Sequence, residues 1–456
     1  MKGFFDTLKN IWAIEELRNK ILFTLAMLLV YRFGSYIPLP GIDLSEIDHN
    51  VLSARGSGQE TGILGLLNAF TGGGFSRASI LALGIMPYIS ASIVIQLMGL
   101  ALPYLQKLQK EGDSGRKKVT QITRYLTIAI CLVQAPAYLT SVTSYFLPYT
   151  DPAIAAAYVI SPTSFWFWFP STVLLVTGTM FAMWLGEKIT DKGIGNGISI
   201  LIMIGIMADL PNAFFSEVTS QPGIFVLFEV IGFLLCILAC VVLVMAVRKV
   251  PVQYVGRAQG GRSSYMKTFT NTVRQYIPLK VNAAGVMPII FAQAIMFLPG
   301  VLAGLIYEEG NVPGFFQSLG DPFSFWYSVI FGILVILFTF FYTAVTIPVN
   351  QMAEDLRRNG GIIPRVKPGK DTAEYLDDVL SKITLPGSIF LALLAILPAI
   401  VYKFGVGAGF SYFFGGTSLL ILVGVTLDTM QQINTYLLNH HYDGMMQTDR
   451  VSKKMA

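Results

Sequence analysis

An all-α, polytopic membrane protein with ten transmembrane helices is the fold class this sequence predicts, and three observations predict it. Apolar residues make up 54% of the 456 positions and charged residues 13%, about half the charged share of a soluble domain. Mean hydropathy is +0.61. Several apolar runs exceed the roughly 18 residues that mark a candidate spanning helix. The basic residues also alternate from one connecting segment to the next in the way ten crossings demand, which excludes an ordinary cytosolic enzyme.

The chain opens with MKGFFDTLKNIWAIEELRNK, amphipathic and containing acidic residues. A cleavable signal has a short basic region and a small-residue cleavage site, so the first helix is expected to stay. Apolar windows then place spans near 21–37, 78–100, 122–142, 165–185 and 197–210, and a second five near 224–247, 283–306, 323–347, 385–404 and 412–438. Five and five divide the chain into halves 1–210 and 211–456. A half with an odd number of spans can repeat only with inverted topology.

Lysine and arginine assign the sides. Of 32 basic residues, 27 fall on the side that carries both termini, and only Arg55 and Lys403 fall in segments on the other. The positive-inside rule therefore puts both termini in the cytoplasm. Two segments on that side are long enough to project. The first, 248–282, carries seven basic residues and no acid; the second, 350–384, mixes charges. In the second, Pro364, Pro368 and Gly369 predict a turn before a short amphipathic helix. Attraction to anionic lipid explains such basicity, but loops of this size exceed what connection needs, which favours partner docking.

Catalytic patterns are missing. His49, His440 and His441 all lie outside the spans, which leaves no histidine for an intramembrane metal or proton relay. No HExxH, Ser–His pairing or phosphate-binding GxxxxGK[ST] loop occurs. Cys131, Cys236 and Cys240 sit in apolar runs and read as small buried hydrophobes. No cofactor is expected. Glu229 and Asp428 are the acids well inside the windows, with Arg32 a lone base, and together they make no ion-coupling pair.

Two places break the apolar pattern. Ile63–Phe70 is an apolar piece of eight residues, about 12 Å long if helical and too short for a core of about 30 Å. Gly72, Gly73 and Gly74 follow as a hinge. Such a piece is either an interfacial re-entrant helix or a movable stopper buried in protein. After the fourth span, GIGNG supplies a turn with Asn196 as N-cap of the next helix; no strand precedes it, so it is not a nucleotide fingerprint.

The stretches GSYIPLPGI, NAFTGGGFSRASILALGIMPYISASIVIQLM, KEGDSGRKK, VTGTMFAMWLGEKITDKGIGNGISILI, RKVPVQY, PLKVNAAGVMPIIFA, PGKDTAEYLDDVLSKITLPG and FGGTSLLILVGVTLD together resemble the SecY family, the central subunits of bacterial protein-conducting channels. They run nearly end to end. The resemblance implies two five-helix halves around an hourglass pore, a lateral opening and a plug. It makes Ile85, Ile89, Ile198, Ile202, Ile290 and Ile421 a pore ring with Met287 at its border. It makes Gly62, Ile63, Leu64, Leu67, Phe70, Gly72, Gly73 and Gly74 the plug, and Gln96 and Asn282 polar residues of the lateral gate.

The same resemblance makes the two large loops docking sites for the ribosome and the SecA ATPase, through Arg248, Lys249, Arg257, Arg262, Arg357, Arg358, Arg365 and Lys367. It implies SecE and SecG as further partners, signal peptides and nascent chains as clients, and the bacterial inner membrane as the location. Two positions depart from the family pattern: Lys367 stands where arginine is common, which keeps charge without the bidentate fork, and Val247 stands where an acid often precedes the basic pair. A small-solute carrier with inverted repeats is the rival reading, and an intramembrane enzyme comes third.

Overall fold

The computed structural model describes residues 12, 14–40, 42, 71–75, 77–146, 165–254, 274–293, 295–296 and 314–455. They belong to two compact units. The first comprises Met1–Pro222, Gly407–Phe410 and Val425–Ala456, and the second Gly223–Val406 and Ser411–Gly424.

Six helices of the first unit precede the boundary: α1 Glu15–Gly34, α2 Met86–Ala101, α3 Pro103–Lys110, α4 Asp113–Phe146, α5 Phe165–Lys192 and α6 Gly197–Ser220. Small residues let them pack closely. A Cβ on Gly178 of α5 would collide with the Ile80 carbonyl, and one on Gly197 would collide with the Gly186 carbonyl, so backbones touch where side chains are absent. Asn196 caps α6 as the sequence predicts, its side chain accepting from the N–H groups of Ile198 at 3.2 Å and Ser199 at 3.4 Å. The cap lets the chain reverse tightly between α5 and α6.

Two of the boundaries in this unit that differ from expectation have a clear physical reason. The second span is read from hydropathy as beginning near residue 78, yet α2 begins at Met86 and has 16 residues. The backbone before it is already committed: Leu39 N–H donates to the Ala78 carbonyl at 2.8 Å and Ile80 N–H to the Ile37 carbonyl at 2.9 Å. Positive φ at Ala78 and Gly84 then bars a helix through this stretch. Conversely, α6 runs ten residues beyond the predicted end at 210, straight through Pro211. Proline removes one helical bond, but the extension is held elsewhere, since the Gly407 N–H donates to both Glu217 carboxylate oxygens at 3.1 and 3.2 Å.

The second unit holds α7 Gly223–Met245, β1 Val247–Tyr254, β2 Arg274–Lys280, α8 Gly314–Gly320, α9 Phe325–Thr346, α10 Val349–Arg358, β3 Gly361–Ile362 and α11 Lys370–Lys403. A single turn, α12 Ala408–Ser411, precedes α13 Gly416–Met455, whose residues from Val425 onward belong to the first unit. The structure adds a three-stranded antiparallel sheet of order β2-β1-β3 to the helical fold. It also corrects the short amphipathic helix expected after Gly369: that helix does not stop before the ninth span but runs on as the 34 residues of α11, with Pro386 and Pro398 inside. Close packing sustains it, because Gly387 admits the Val281 carbonyl and Gly332 of α9 admits the Ile396 side chain.

Among the described residues, six helices are long and apolar enough to cross a membrane, with Met86–Gly99 a shorter apolar helix. The ten-span assignment is consistent with this set.

Candidate functional site

Three of the six pore-ring candidates come together in one cluster of the first unit. Ile85 is 4% exposed among Leu28, Tyr31, Ala182, Leu185, Ile189 and Leu201, with Ile89 and Ile198 packed against that cluster. Ile85 and Ile89 are one helical turn apart, the Ile89 N–H donating to the Ile85 carbonyl at 3.1 Å. Ile198 reaches α5 because a side chain on Gly186 would stand 2.8 Å from it. Ile202 is half-buried on α6 and lies outside the cluster. In the second unit, Ile290 is half-buried in the helical run that begins at Met287, and Ile421 is 5% exposed on α13. Branched aliphatic side chains can dewet a constriction and give a passing chain no fixed hydrogen bond.

Gly62, Ile63, Leu64, Leu67 and Phe70 lie outside the described residues. Gly72, Gly73 and Gly74 are described, and they form a buried turn with φ of +64° at Gly72 and +81° at Gly73. Those angles favour glycine; the sequence reads the three glycines as a hinge, and here they form a turn. The turn is tightly held: the Gly74 carbonyl accepts from the Ser79 hydroxyl at 3.0 Å, and the Phe75 carbonyl accepts from the Tyr138 hydroxyl at 2.8 Å.

The gate candidates are Gln96, half-buried on α2, and Asn282, 9% exposed in the turn after β2. The Asn282 Oδ1 is buried without a hydrogen-bond partner.

Of the docking candidates, Arg257 and Arg262 lie outside the described residues. The other six are exposed. Strand β1 alternates from Lys249 onward, with Val250 and Val252 at 2% and 1% exposure packed against Leu279, Leu356, Ile363, Leu376 and Leu380, Lys249 and Pro251 exposed on the other face, and Arg248 exposed at the start of the strand. Pairing of Gln253 with Ile362 and Tyr254 with Gly361 joins the two long segments in one sheet. Arg248, Lys249, Tyr375 and Lys382 line a cleft of about 570 Å³ together with Val281 and Ile383. Arg358 is engaged by Glu354 at 2.7 Å, and Arg365 adopts a positive φ of 69°. The Lys367 side chain is exposed, and its carbonyl accepts from Thr372 at 2.8 Å to fix the start of α11.

Sequence reasoning missed the sheet, and with it the joining of the two segments. Its signal was present in the alternation of Val250 and Val252 with outward-facing neighbours. Charge-based reading passed over it.

Comparison with known proteins covers nearly the whole chain. The SecY family model matches residues 79–430. A protein translocase subunit SecY of Streptomyces galbus is 40% identical over 439 residues, spanning 94% of this chain and 97% of that one. A solved structure of a protein-conducting channel superposes with a TM-score of 0.61 at 19% identity, covering 92% of each chain. Sec61 from a canine ribosome–channel complex gives 0.58 at 17% identity with the same coverage. Identities this low in the solved structures speak to the fold alone.

Proposed function

Because the chain belongs to the SecY family, we propose that this multi-pass membrane protein is the channel subunit of a protein translocase. It passes unfolded secretory polypeptides across the membrane and releases signal or transmembrane segments sideways into lipid. The observation that carries the reading is the match to the Streptomyces galbus translocase subunit over 94% of the chain. Ile85, Ile89, Ile198, Ile202, Ile290 and Ile421 form the constriction, 62–74 the plug, and Gln96 and Asn282 the polar points of the lateral gate. The halves are 1–210 and 211–456.

The chain supplies no catalysis of its own in this reading. Energy comes from the SecA ATPase or from the ribosome, which dock on the exposed cations of the β1–β2 hairpin and of 357–367, while SecE and SecG complete the complex. The placement is the bacterial inner membrane with both termini cytoplasmic, supported by 27 of 32 basic residues on that side. A signal sequence shifts the closed-to-open equilibrium by binding the open state more tightly.

Purified chain with its small partner subunits in liposomes tests this, comparing wild type with a variant lacking residues 63–70. Import of a preprotein that depends on added SecA and ATP, with greater ion leakage in the deletion, is the expected result. Saturable uptake of a small solute without polypeptide import would turn the assignment to a carrier.

A further inference from the structure

Three charged side chains converge on one glycine turn of the first unit. Arg32 stands in the last turn of α1, Asp209 lies on α6, and Arg77 precedes α2. Arg32 Nη1 donates to the Gly72 carbonyl at 2.7 Å, and Nη2 donates to the Tyr36 hydroxyl at 3.1 Å. The Tyr36 ring serves both bases, with the guanidinium carbons of Arg32 and Arg77 at 4.9 and 4.5 Å from its centroid.

The acid enters at Gly73. A Cβ there would stand 3.4 Å from Arg77 Nη2 and 3.4 Å from Asp209 Oδ1, so the base and the acid both crowd this residue. A Cβ on Gly72 would stand 2.8 Å from the Gly205 carbonyl oxygen of α6 and 2.9 Å from Arg32 Nη1. The turn is wedged between α1 and α6 at a spacing only glycine permits.

Neutral hydrogen bonds would suffice to pin a static turn, and the Ser79 and Tyr138 bonds already do so. Half-buried charges are costly unless compensated. What they add is a balance of charge across the turn: Asp209 makes no direct ion pair with either base but stands with Arg77 on opposite approaches to Gly73, and its removal leaves two guanidiniums facing the same tyrosine. That property fits a part with two discrete arrangements.

We propose that Arg32, Arg77 and Asp209 form an electrostatic latch that holds the Gly72–Gly74 turn against α6 in the idle channel and sets how rarely the channel conducts without a client. The proposal rests on the channel reading above. It adds to that reading a set of residues outside the pore ring, the plug and the gate.

The test is idle ion efflux from liposomes that carry the complete complex, with preprotein import by the same vesicles as the parallel readout. Asp209→Asn is expected to raise idle efflux about tenfold, because the two guanidiniums beside the turn lose a compensating carboxylate. Gly72→Ala should do the same with no change of charge, by forcing the turn off Gly205. The exchange Arg77→Asp with Asp209→Arg should bring efflux back toward wild type, a rescue that loss of packing would not show.

Asp209→Asn vesicles no leakier than wild type, in a preparation whose wild type imports polypeptide, overturn the latch and leave the channel standing. Wild type that imports nothing with any partner overturns the channel reading itself. Should Asp209→Asn fail to assemble, Arg32→Lys takes its place, because lysine keeps the charge but cannot fork to Gly72 and Tyr36 together. Unchanged efflux in that variant and in the charge exchange would also overturn the latch.

Discussion

Arg124 of α4 and Glu187 of α5 meet in a two-point ion pair, Nε donating to Oε1 at 3.2 Å and Nη2 to Oε2 at 2.5 Å. The fork geometry is specific to arginine, and it ties two long helices of the first unit together. The Arg124 side chain keeps 42% of its exposure and Glu187 22%, so water screens much of the attraction. Glu187→Gln should therefore cost only about 1 kcal/mol, and Arg124→Lys should cost less because charge remains. Thermal midpoints of both single variants and the double variant measure the pair. Additive effects of the two substitutions would show that the fork contributes nothing of its own.

Gly178 makes a sharper prediction. Its missing side chain lets the Ile80 carbonyl touch α5, and α5 cannot retreat without opening the core of Leu39, Ala78, Tyr138 and Leu175. Gly178→Ala should destabilise the protein by about 1–3 kcal/mol, the usual range for overpacking. Gly223→Ala at the start of α7, where nothing lies within 4 Å, serves as the control and should be neutral within about 0.5 kcal/mol. Equal thermal midpoints for the two variants would refute this packing argument.

The contrast between legible and hidden features has a physical basis in the range of the interactions. Asn196 was readable as a cap because its partners are two and three residues away. A break in the helix at Gly72–Gly74 was readable because a run of glycines permits positive φ locally, but its form as a held turn was not. Residues 78–85 misled, because hydropathy reports depth and not conformation, and their backbone pairs with residues 37–39, some forty positions earlier. The joining of Gln253 to Ile362 is more distant still. No local pattern encodes it. The short amphipathic helix after Gly369 is expected to end before the span near 385–404, whereas in α11 the neighbouring Val281 backbone packs on Gly387 and the helix carries on. The family came from motif order along the whole chain, and the approach of Arg77 and Asp209 to Gly73 could come only from the structure.

Lys20 offers a pH test outside the predicted spans. It donates to Glu16 at 2.8 Å and to the Tyr436 hydroxyl at 3.0 Å. The hydrogen bond to Glu16, followed by that to Tyr436, raises the lysine above its ordinary range, and the Lys20 hydrogen bond holds Glu16 below the carboxylate range. A raised lysine contributes stability that is fully present below its unfolded pKa and is lost as pH rises through the folded value. A depressed carboxylate contributes above its unfolded pKa and loses its contribution as pH falls through the folded value. The thermal midpoint difference between wild type and Lys20→Met should thus be flat across neutral pH and shrink at both extremes. A difference that grows toward alkaline pH would contradict the assignment.

The hairpin makes the last prediction, because its geometry separates charge from packing. Arg248 and Lys249 are exposed at the start of β1, while Val250 and Val252 anchor the same strand in the core of the sheet. Substituting both cations by glutamine should leave the sheet intact, so the thermal midpoint should not move. If the hairpin docks on ribosomal RNA, each phosphate contact releases counterions and steepens the fall of affinity with salt. Losing two contacts should reduce the slope of log affinity against log salt by about 1.4 to 1.8, depending on whether the RNA there is single- or double-stranded. Cosedimentation of the complex with ribosomes over a series of potassium chloride concentrations reads that slope. Arg357→Gln with Arg358→Gln provides the comparison, since Arg358 already answers Glu354 and should contribute less than a full contact. An unchanged slope in the hairpin variant would mean that the ribosome reads another surface and that these two cations serve orientation at the membrane alone.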